Sequence, residues 1–593
     1  MRILLLTHAF NSLTQRIFVE LRELGHEVSI EFDVNDQVTE EAVRLYAPDL
    51  VIAPFLKRAI PESVWRQHRC IVIHPGIPGD RGPSALDWAI SNGESSWGVT
   101  ALQANGEMDA GDIWAWEPFA MREASKSSLY RNEVTEAALR TVKRTLEHCA
   151  DPGFRPQPLD YARPEVRGTL RPLMRQDDRA IDWQADDAAA ILRKIRAGDG
   201  VPGVVDTIGD ERFHLYDAHA ESLLRGQTPG AIIARRDGAI CRASVDGAVW
   251  ITHLKRFGES RGFKLPASMV LGDALADIPQ VPIAPYAKVD HPTWREIEYE
   301  ERGPVGLLHF RFYNGAMSTG QCIRLRRALR YARSRPTRVI ALMGGEDFWS
   351  NGLHLNVIEA SAHPAEESWR NINAMNDLVR DIVSTPNHLT IAAMCGNAGA
   401  GGVFLALAAD QVLAREGIIL NPHYKGMGNL YGSEYWTYLL PRRVSAEQAR
   451  RIVEGRLPMG TSEAARLGLI DACIEGVTAD FRAEVDARAQ ALAQGPAFDS
   501  LLEAKRRRRD ADEARKPLAA YRHEELERMR LNFFGFDASY HVARYNFVRK
   551  IARSRTPLHL AVHRKLRPSA NRPKEDASVR ATTSDVTNSA APA

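Results

Sequence analysis

The sequence predicts a multidomain α/β protein: a doubly wound parallel-sheet domain, a small β-rich barrel-like domain, and a second α/β domain that ends in helices. Three observations predict it. At 593 residues the chain is too long for one core, and ordinary domain sizes divide it into roughly three or four. Short apolar runs alternate with helix-length stretches in two separate regions, near the start and again beyond Ile297. Stretches rich in proline at 152–172 and 278–292 set those regions apart from what lies between them.

Taken in order, Ile3 to Leu6 reads as a buried strand. Thr14 to Leu24 reads as a helix closed by Gly25, a residue suited to the position just past a helix end. Val28 to Phe32 is the next strand. Asp49 to Ala53 and Cys70 to Ile73 are continuous apolar runs, as in strands covered on both faces. Such a sheet binds ligands beyond the carboxyl ends of its strands, which is where His74 falls. Between 173 and 275, short β-like runs such as Ala231–Ala234 and Ala248–Ile251 are punctuated by glycine, which predicts the barrel-like domain. From Ile297 to Val485, strands at Val305–Phe310, Val339–Met343 and Leu389–Met394 alternate with helices. Residues 486–565 read as helical, with Phe533, Phe534, Phe536, Tyr540, Tyr545 and Phe547 as a packing surface. The end is rich in Ser, Thr, Ala and Pro, a composition expected to be disordered. The expected divisions are 1–165, 166–285, 286–485, 486–567 and 568–593.

A hydrophobic share of 44% and a charged share of 26% are ordinary for globular proteins, and a net charge of +2 argues against a nucleic-acid or anionic-membrane partner. The run Lys505 to Arg509 is flanked by Glu503, Asp510 and Asp512, so it reads as a solvated helix face. Six scattered cysteines form no C-x-x-C pair, which suits a reducing cytoplasm and suggests no zinc or redox motif. The start turns polar too soon for a signal peptide, and no apolar run approaches the roughly 20 residues that span a bilayer. The expectation is a cytoplasmic enzyme without a metal.

Moving a formyl group from nitrogen calls for a proton source at the tetrahedral intermediate, and a histidine held by a carboxylate supplies one. Here Ile73-His74-Pro75-Gly76 is followed by Gly79-Asp80-Arg81-Gly82-Pro83, Gly98-Val99-Thr100 and Met108-Asp109-Ala110-Gly111-Asp112. Singly, His74 could cap a strand end and Asp109 could serve a turn. In this order the motifs resemble the N-terminal half of methionyl-tRNA formyltransferase and its relatives, over about the first 120 residues. The resemblance implies 10-formyltetrahydrofolate as formyl donor and His74 and Asp109 as catalytic residues. It also implies that Lys57 or Arg58 receives the folate tail carboxylates. One departure is Val72, where the family usually has Asn to hold the formyl oxygen. That leaves open a slower reaction, another acceptor or a substitute donor. No Gly-x-Gly-x-x-Gly follows the first strand, which disfavours a nicotinamide site.

A second site is encoded downstream. Thioester chemistry gains most from two backbone N–H groups aimed at the developing oxyanion, where glycines permit close approach and a helix start adds positive potential. Gly399-Ala400-Gly401-Gly402 opens an apolar helix, Gly344 to Leu353 precedes it, and Gly460 to Asp471 follows. These segments resemble the crotonase (enoyl-CoA hydratase) superfamily. The likeness implies coenzyme A as substrate, Leu353 and Gly401 as oxyanion donors, and Gly352, Gly399 and Gly402 as lining. The catalytic carboxylates of the hydratases fall on Phe404 and Tyr424, so hydration is not implied. The polar groups left nearby are Tyr424 and Glu434, which read equally as a core aromatic and a helix-start residue.

Both halves in this order resemble the HypX (HoxX) family of NiFe-hydrogenase maturation proteins, over nearly the whole chain. That resemblance implies transfer of formyl from 10-formyltetrahydrofolate to coenzyme A and cleavage of formyl-CoA to CO and CoA. The CO would serve as an iron ligand, with the NiFe-hydrogenase maturation machinery as partner. Glu434 and Tyr424 would relay the protons of the cleavage. Two alternatives remain at this point: a formyltransferase for an amine or sugar with a CoA-binding scaffold, and a non-enzymatic maturation partner.

Overall fold

The computed structural model describes residues 1–565; the tail expected to be disordered from 568 lies outside the described residues. The first unit is a six-stranded sheet of β1 (Arg2–Thr7), β2 (Glu27–Phe32), β3 (Leu50–Phe55), β4 (Cys70–His74), β5 (Ser96–Gln103) and β6 (Ile113–Ala120), in the order β2-β1-β3-β4-β5-β6. Leu4, Leu6 and Val51 pack on one face and Ile3, Leu5 and Ile52 on the other, as the unbroken apolar runs require. The helix Ser12–Glu23 starts on Asn11, whose side chain accepts from the Thr14 N–H at 3.0 Å, and Gly25 follows its end with φ +83°.

The expected parallel sheet is corrected at its far edge. β1 to β4 run parallel, but β5 is antiparallel to β4 and β6 to β5. No long crossover separates β5 from β6, so they pair as neighbours with the loop 104–112 between them. That loop carries Asp109 back to His74.

The second unit comprises β7 (Val204–Ile208), β8 (Glu211–Glu221), β9 (Ile232–Arg236), β10 (Ala239–Ala243), β11 (Ala248–Arg256) and β12 (Leu265–Pro266). Their order is β7-β8-β11-β10-β9, with β12 on β11, and the pairs are antiparallel. The expected barrel is therefore not closed by backbone pairing: β7 and β9 share no ladder among the described residues. The sheet still curls far enough for Arg242 of β10 to pair with Asp206 of β7.

The third unit begins with the sheet β13 (Ile297–Arg302), β14 (Val305–Phe310), β15 (Val339–Met343), β17 (Leu389–Met394), β19 (Gln411–Arg415) and β22 (Ala472–Ile474), parallel except for β13. A smaller sheet of β16 (Phe348–Ser350), β18 (Asn397–Gly399), β20 (Ile419–Asn421) and β21 (Met459–Gly460) lies beyond the strand ends and carries both glycine-rich loops.

The helical region departs from expectation in four ways. The division at 485/486 falls inside the helix Thr478–Gln494. Regular helix stops at Val548, and the chain then returns to the first unit, where Ile30 N–H reaches Leu560 O at 3.1 Å and Phe32 N–H reaches the Thr556 hydroxyl at 2.7 Å. Phe533 and Tyr540 are buried as expected, whereas Phe534, Phe536 and Phe547 are exposed. The basic run is not simply a solvated face. Lys505 is buried against Asp410 (2.6 Å) and the His388 carbonyl (2.8 Å), while Arg506 donates to the Pro386 carbonyl. The run fastens its helix to the third unit because neighbouring carbonyls and a carboxylate face it. No helix among the described residues is long and apolar enough to cross a membrane.

Candidate active sites

His74 ends β4 and is almost fully buried. Its Nε2 lies 2.9 Å from Asp80 Oδ2 and its Nδ1 lies 3.5 Å from Asp109 Oδ2. Opposite it on β5, the Thr100 hydroxyl donates to Gly76 O at 2.8 Å, and the Trp97 indole donates to Pro75 O at 2.9 Å. These bonds fix the His-Pro-Gly turn, and a Cβ at Gly76 would run into the imidazole. Burial lowers the His74 pKa, but the Asp80 hydrogen bond and the charges of Asp109 and Asp80 outweigh it and leave it raised. The two carboxylates thus favour the charged form of the ring over the neutral one.

Asp109 has φ +52° and accepts from the Gly82 N–H at 3.2 Å. Asp80 is the residue that sequence reasoning missed. It stood inside the quoted Gly-Asp-Arg-Gly-Pro motif, but a carboxylate in a turn carries no mark of its partner. One of its oxygens, Oδ1, is buried with no partner among the described residues.

The carboxyl ends of β1 to β3 bring His8, Asp33 and Lys57 near one another: His8 Nδ1 lies 2.8 Å from Asp33 Oδ1, and Lys57 N–H donates to Asp33 Oδ2 at 3.2 Å. Arg58 pairs with Asp36 on the surface at 2.9 Å, while the Lys57 ammonium makes no ion pair among the described residues. Of the two expected folate contacts, Lys57 is the less engaged. Val72 lies on the same strand face as His74, two residues before it, and packs with Leu56 and Ala104 around an apolar cluster.

At the second site, Met317 bridges Leu353 in parallel fashion, using Gly352 O (2.9 Å) and His354 N–H (3.2 Å), so the Leu353 N–H points the other way. Gly401 opens the helix Gly401–Leu407, where first-turn N–H groups lack intrahelical partners. The two loops touch, since a Cβ on Gly352 would lie 3.3 Å from Gly401 N. A Cβ on Gly402 would meet the Ser350 backbone, and one on Gly399 would lie 3.0 Å from Asn351 Oδ1. The expected glycines therefore belong to one tight junction.

Against that junction lies Glu434. Its carboxyl sits where a Cβ on Gly401 would go, and its Oε2 is 2.7 Å from the Tyr424 hydroxyl, which also lies 2.9 Å from Ser433 O. Phe404 stacks on Tyr424 with 5.5 Å between ring centroids. Burial raises the Glu434 pKa to about 7, with the Tyr424 hydrogen bond opposing and the charge of Glu525 adding to the rise. Burial and the Glu434 charge hold the Tyr424 hydroxyl protonated, far above its usual range. A carboxyl that exchanges its proton near neutrality, set against the glycine junction at Gly401, can serve acid–base chemistry on a thioester. Glu434 is not a residue of a regular helix start. It and Tyr435 both have φ +59° in a strained turn before the helix Trp436–Leu439.

Comparison with known proteins agrees with this layout. Residues 22–145 match the family Formyl transferase, 173–261 match Formyl transferase, C-terminal domain, and 310–530 match Enoyl-CoA hydratase/isomerase. The chain is 55% identical to hydrogenase maturation factor HoxX of Bradyrhizobium diazoefficiens, over 97% of this chain and 99% of that protein. The crystal structure of HypX from Aquifex aeolicus in complex with tetrahydrofolic acid superposes with a TM-score of 0.93 at 49% identity, covering 96% of this chain and 100% of the other. Methionyl-tRNA formyltransferase of Delftia acidovorans is 28% identical over 35% of this chain and 64% of its own length.

Proposed function

The chain belongs to the HypX/HoxX family of hydrogenase maturation factors, and from that premise we propose that it makes carbon monoxide from the formyl group of 10-formyltetrahydrofolate, by way of formyl-CoA. The CO then supplies an iron ligand to the NiFe-hydrogenase maturation machinery. The observation that carries this reading is the Glu434–Tyr424 pair against the Gly401 junction, in a thioester site with Phe404 in place of a hydratase carboxylate. A formyl thioester has no second carbon to hydrate, and its own C–H is the proton within reach.

In the first step the thiol sulfur of CoA bonds to the formyl carbon and the carbon–nitrogen bond breaks; the thiol gives up its proton, which leaves His74 protonated again, and a proton reaches the folate nitrogen. The His74 imidazolium holds the proton that goes to nitrogen. Its Nε2 is tied to Asp80, while Nδ1, only loosely engaged by Asp109 at 3.5 Å, is the side that turns to the reacting group. Lys57 meets the folate carboxylates.

In the second step Leu353 and Gly401 N–H groups bind the formyl oxygen, and the Glu434 carboxylate takes the formyl proton. The C–H electron pair remains on carbon as CO forms, the C–S pair leaves with sulfur, and a proton returns to the thiolate. No net oxidation occurs. The Tyr424 hydroxyl supports both states of Glu434. It donates to the carboxylate when Glu434 is ionised, and when Glu434 holds the proton it accepts from it and donates to Ser433 O.

The test is incubation with 10-formyltetrahydrofolate and CoA, with CO followed by its binding to a reduced haem protein. Glu434→Gln should abolish CO while tetrahydrofolate is still released. Normal CO output from that variant would sink the assignment. A formylated amine without CO would favour the reading in which the third unit only binds CoA.

A further inference from the structure

Glu525 lies on the helix Leu518–Phe534, far along the chain from both glycine loops, and is fully buried. Its Oε2 accepts from the Tyr435 N–H at 2.9 Å and lies 3.3 Å from the Ser433 hydroxyl. Its Oε1 accepts from the Thr437 N–H at 2.9 Å and from the Thr437 hydroxyl at 2.6 Å. All these donors come from one short turn, and Glu434 sits inside it. Glu434 and Tyr435 are successive non-glycine residues in the left-handed region, a conformation the backbone does not choose unaided. From the other side, Asn376 Oδ1 accepts the Glu434 N–H at 2.8 Å. The turn is thus held by groups on two helices.

Building on the assignment of Glu434 made above, we propose that Glu525 is the positioning residue of the thioester site, holding the turn Ser433–Thr437 so that Glu434 lays its carboxyl against Gly401. The helix Leu518–Phe534 then belongs to the site and is not a packing appendage.

The charge of Glu525 acts as well as its hydrogen bonds. The titratable groups that face Glu434 are Tyr424 from the loop after β20, Glu525 from the helix Leu518–Phe534, and Cys322 from the helix Thr319–Arg333. Burial and the Glu434 charge raise the Cys322 thiol, so it stays neutral. Burial carries Glu525 to about 7, with its bonds to Thr437, Tyr435 and Ser433 opposing. Two such carboxyls do not ionise independently. Glu525, with donors on both oxygens, is the first of the two to ionise, and its charge raises the pH at which Glu434 gives up its proton and becomes the base of the thioester site.

Glu525→Gln keeps an acceptor oxygen and removes the charge. The measurement is the titration of the Glu434 carboxyl by infrared difference spectroscopy on the full-length protein, with Glu434→Gln subtracted. Glu434 should ionise about one pH unit lower in Glu525→Gln, and the rising limb of CO production should move with it. Glu525→Ala removes the acceptors too and should lose at least about tenfold in CO output while tetrahydrofolate release and circular dichroism are kept. An unmoved Glu434 titration, or wild-type CO output from Glu525→Ala, would overturn the proposal. If the wild-type protein makes no CO at all, the function assigned above fails, and the infrared titration still decides the role of Glu525.

Discussion

At the residue scale, His74 is defined by two carboxylates on opposite ring nitrogens, not by one. Asp80 is the closer partner, at 2.9 Å, and is buried with it. Asp80→Asn removes the hydrogen-bonded charge that holds the imidazolium against the penalty of burial. The His74 pKa is raised, so its charged form persists to higher pH, and losing Asp80 brings deprotonation to lower pH. Formyl transfer, read as tetrahydrofolate release, should fall by about 10²-fold at neutral pH or more, with its alkaline limb displaced downward. His74 stands out in the sequence only together with the motifs that follow it, because His-Pro-Gly at a strand end also reads as a turn. Asp109 was legible only through its place in an ordered set of motifs. Asp80 and Glu525 were not legible as partners, since nothing local distinguishes a carboxylate that will be buried from one that will face water.

At the element scale, the two glycine-rich loops matter because β16 and β18 pair and press Gly352 onto Gly401. A methyl group at Gly401 would enter the space of the Glu434 carboxyl. Gly401→Ala should therefore lose about 10² to 10³-fold in CO formation, the range for a displaced oxyanion donor, with tetrahydrofolate release unchanged; CO and tetrahydrofolate measured in the same reaction check this. Apolar runs locate the strands where both faces are covered: Val305–Phe310, Val339–Met343 and Leu389–Met394 are β14, β15 and β17. Strand direction was not readable. The antiparallel turn of β5 and β6 depends on connection and pairing, and an apolar run reads the same in either direction. The turn bearing Glu434 escaped for a related reason, because its left-handed backbone is imposed by Asn376 and Glu525 from elsewhere in the chain.

At the scale of the whole molecule, the chain closes on itself. Glu31 of β2 is fully buried and meets Thr556, His563 (2.9 Å) and Arg564 (2.6 Å) of the returning segment. Burial alone would raise its carboxyl, yet these partners outweigh burial and hold it below its ordinary value. Its contribution to stability is therefore present above the unfolded carboxylate range and lost as pH falls through the folded value. Removing the chain beyond Lys550 should cost about 3–5 kcal/mol by leaving that charge unpaired, seen as a lower Tm at neutral pH and a smaller difference from wild type in acid. The first and third units also meet directly: Asp347, in the loop before Leu353, accepts from Ser128 at 2.7 Å and Asn132 at 2.9 Å and pairs with Arg131 at 3.2 Å. The order of the three units was legible from motifs and proline-rich breaks. Their docking was not, because it rests on polar contacts between residues hundreds of positions apart. On the proposed route one carbon passes through both sites, and an isotopically labelled formyl group on 10-formyltetrahydrofolate follows it. With CoA present, the label should be recovered in CO in step with tetrahydrofolate; label retained in formate or a formylated amine, with none in CO, would contradict it.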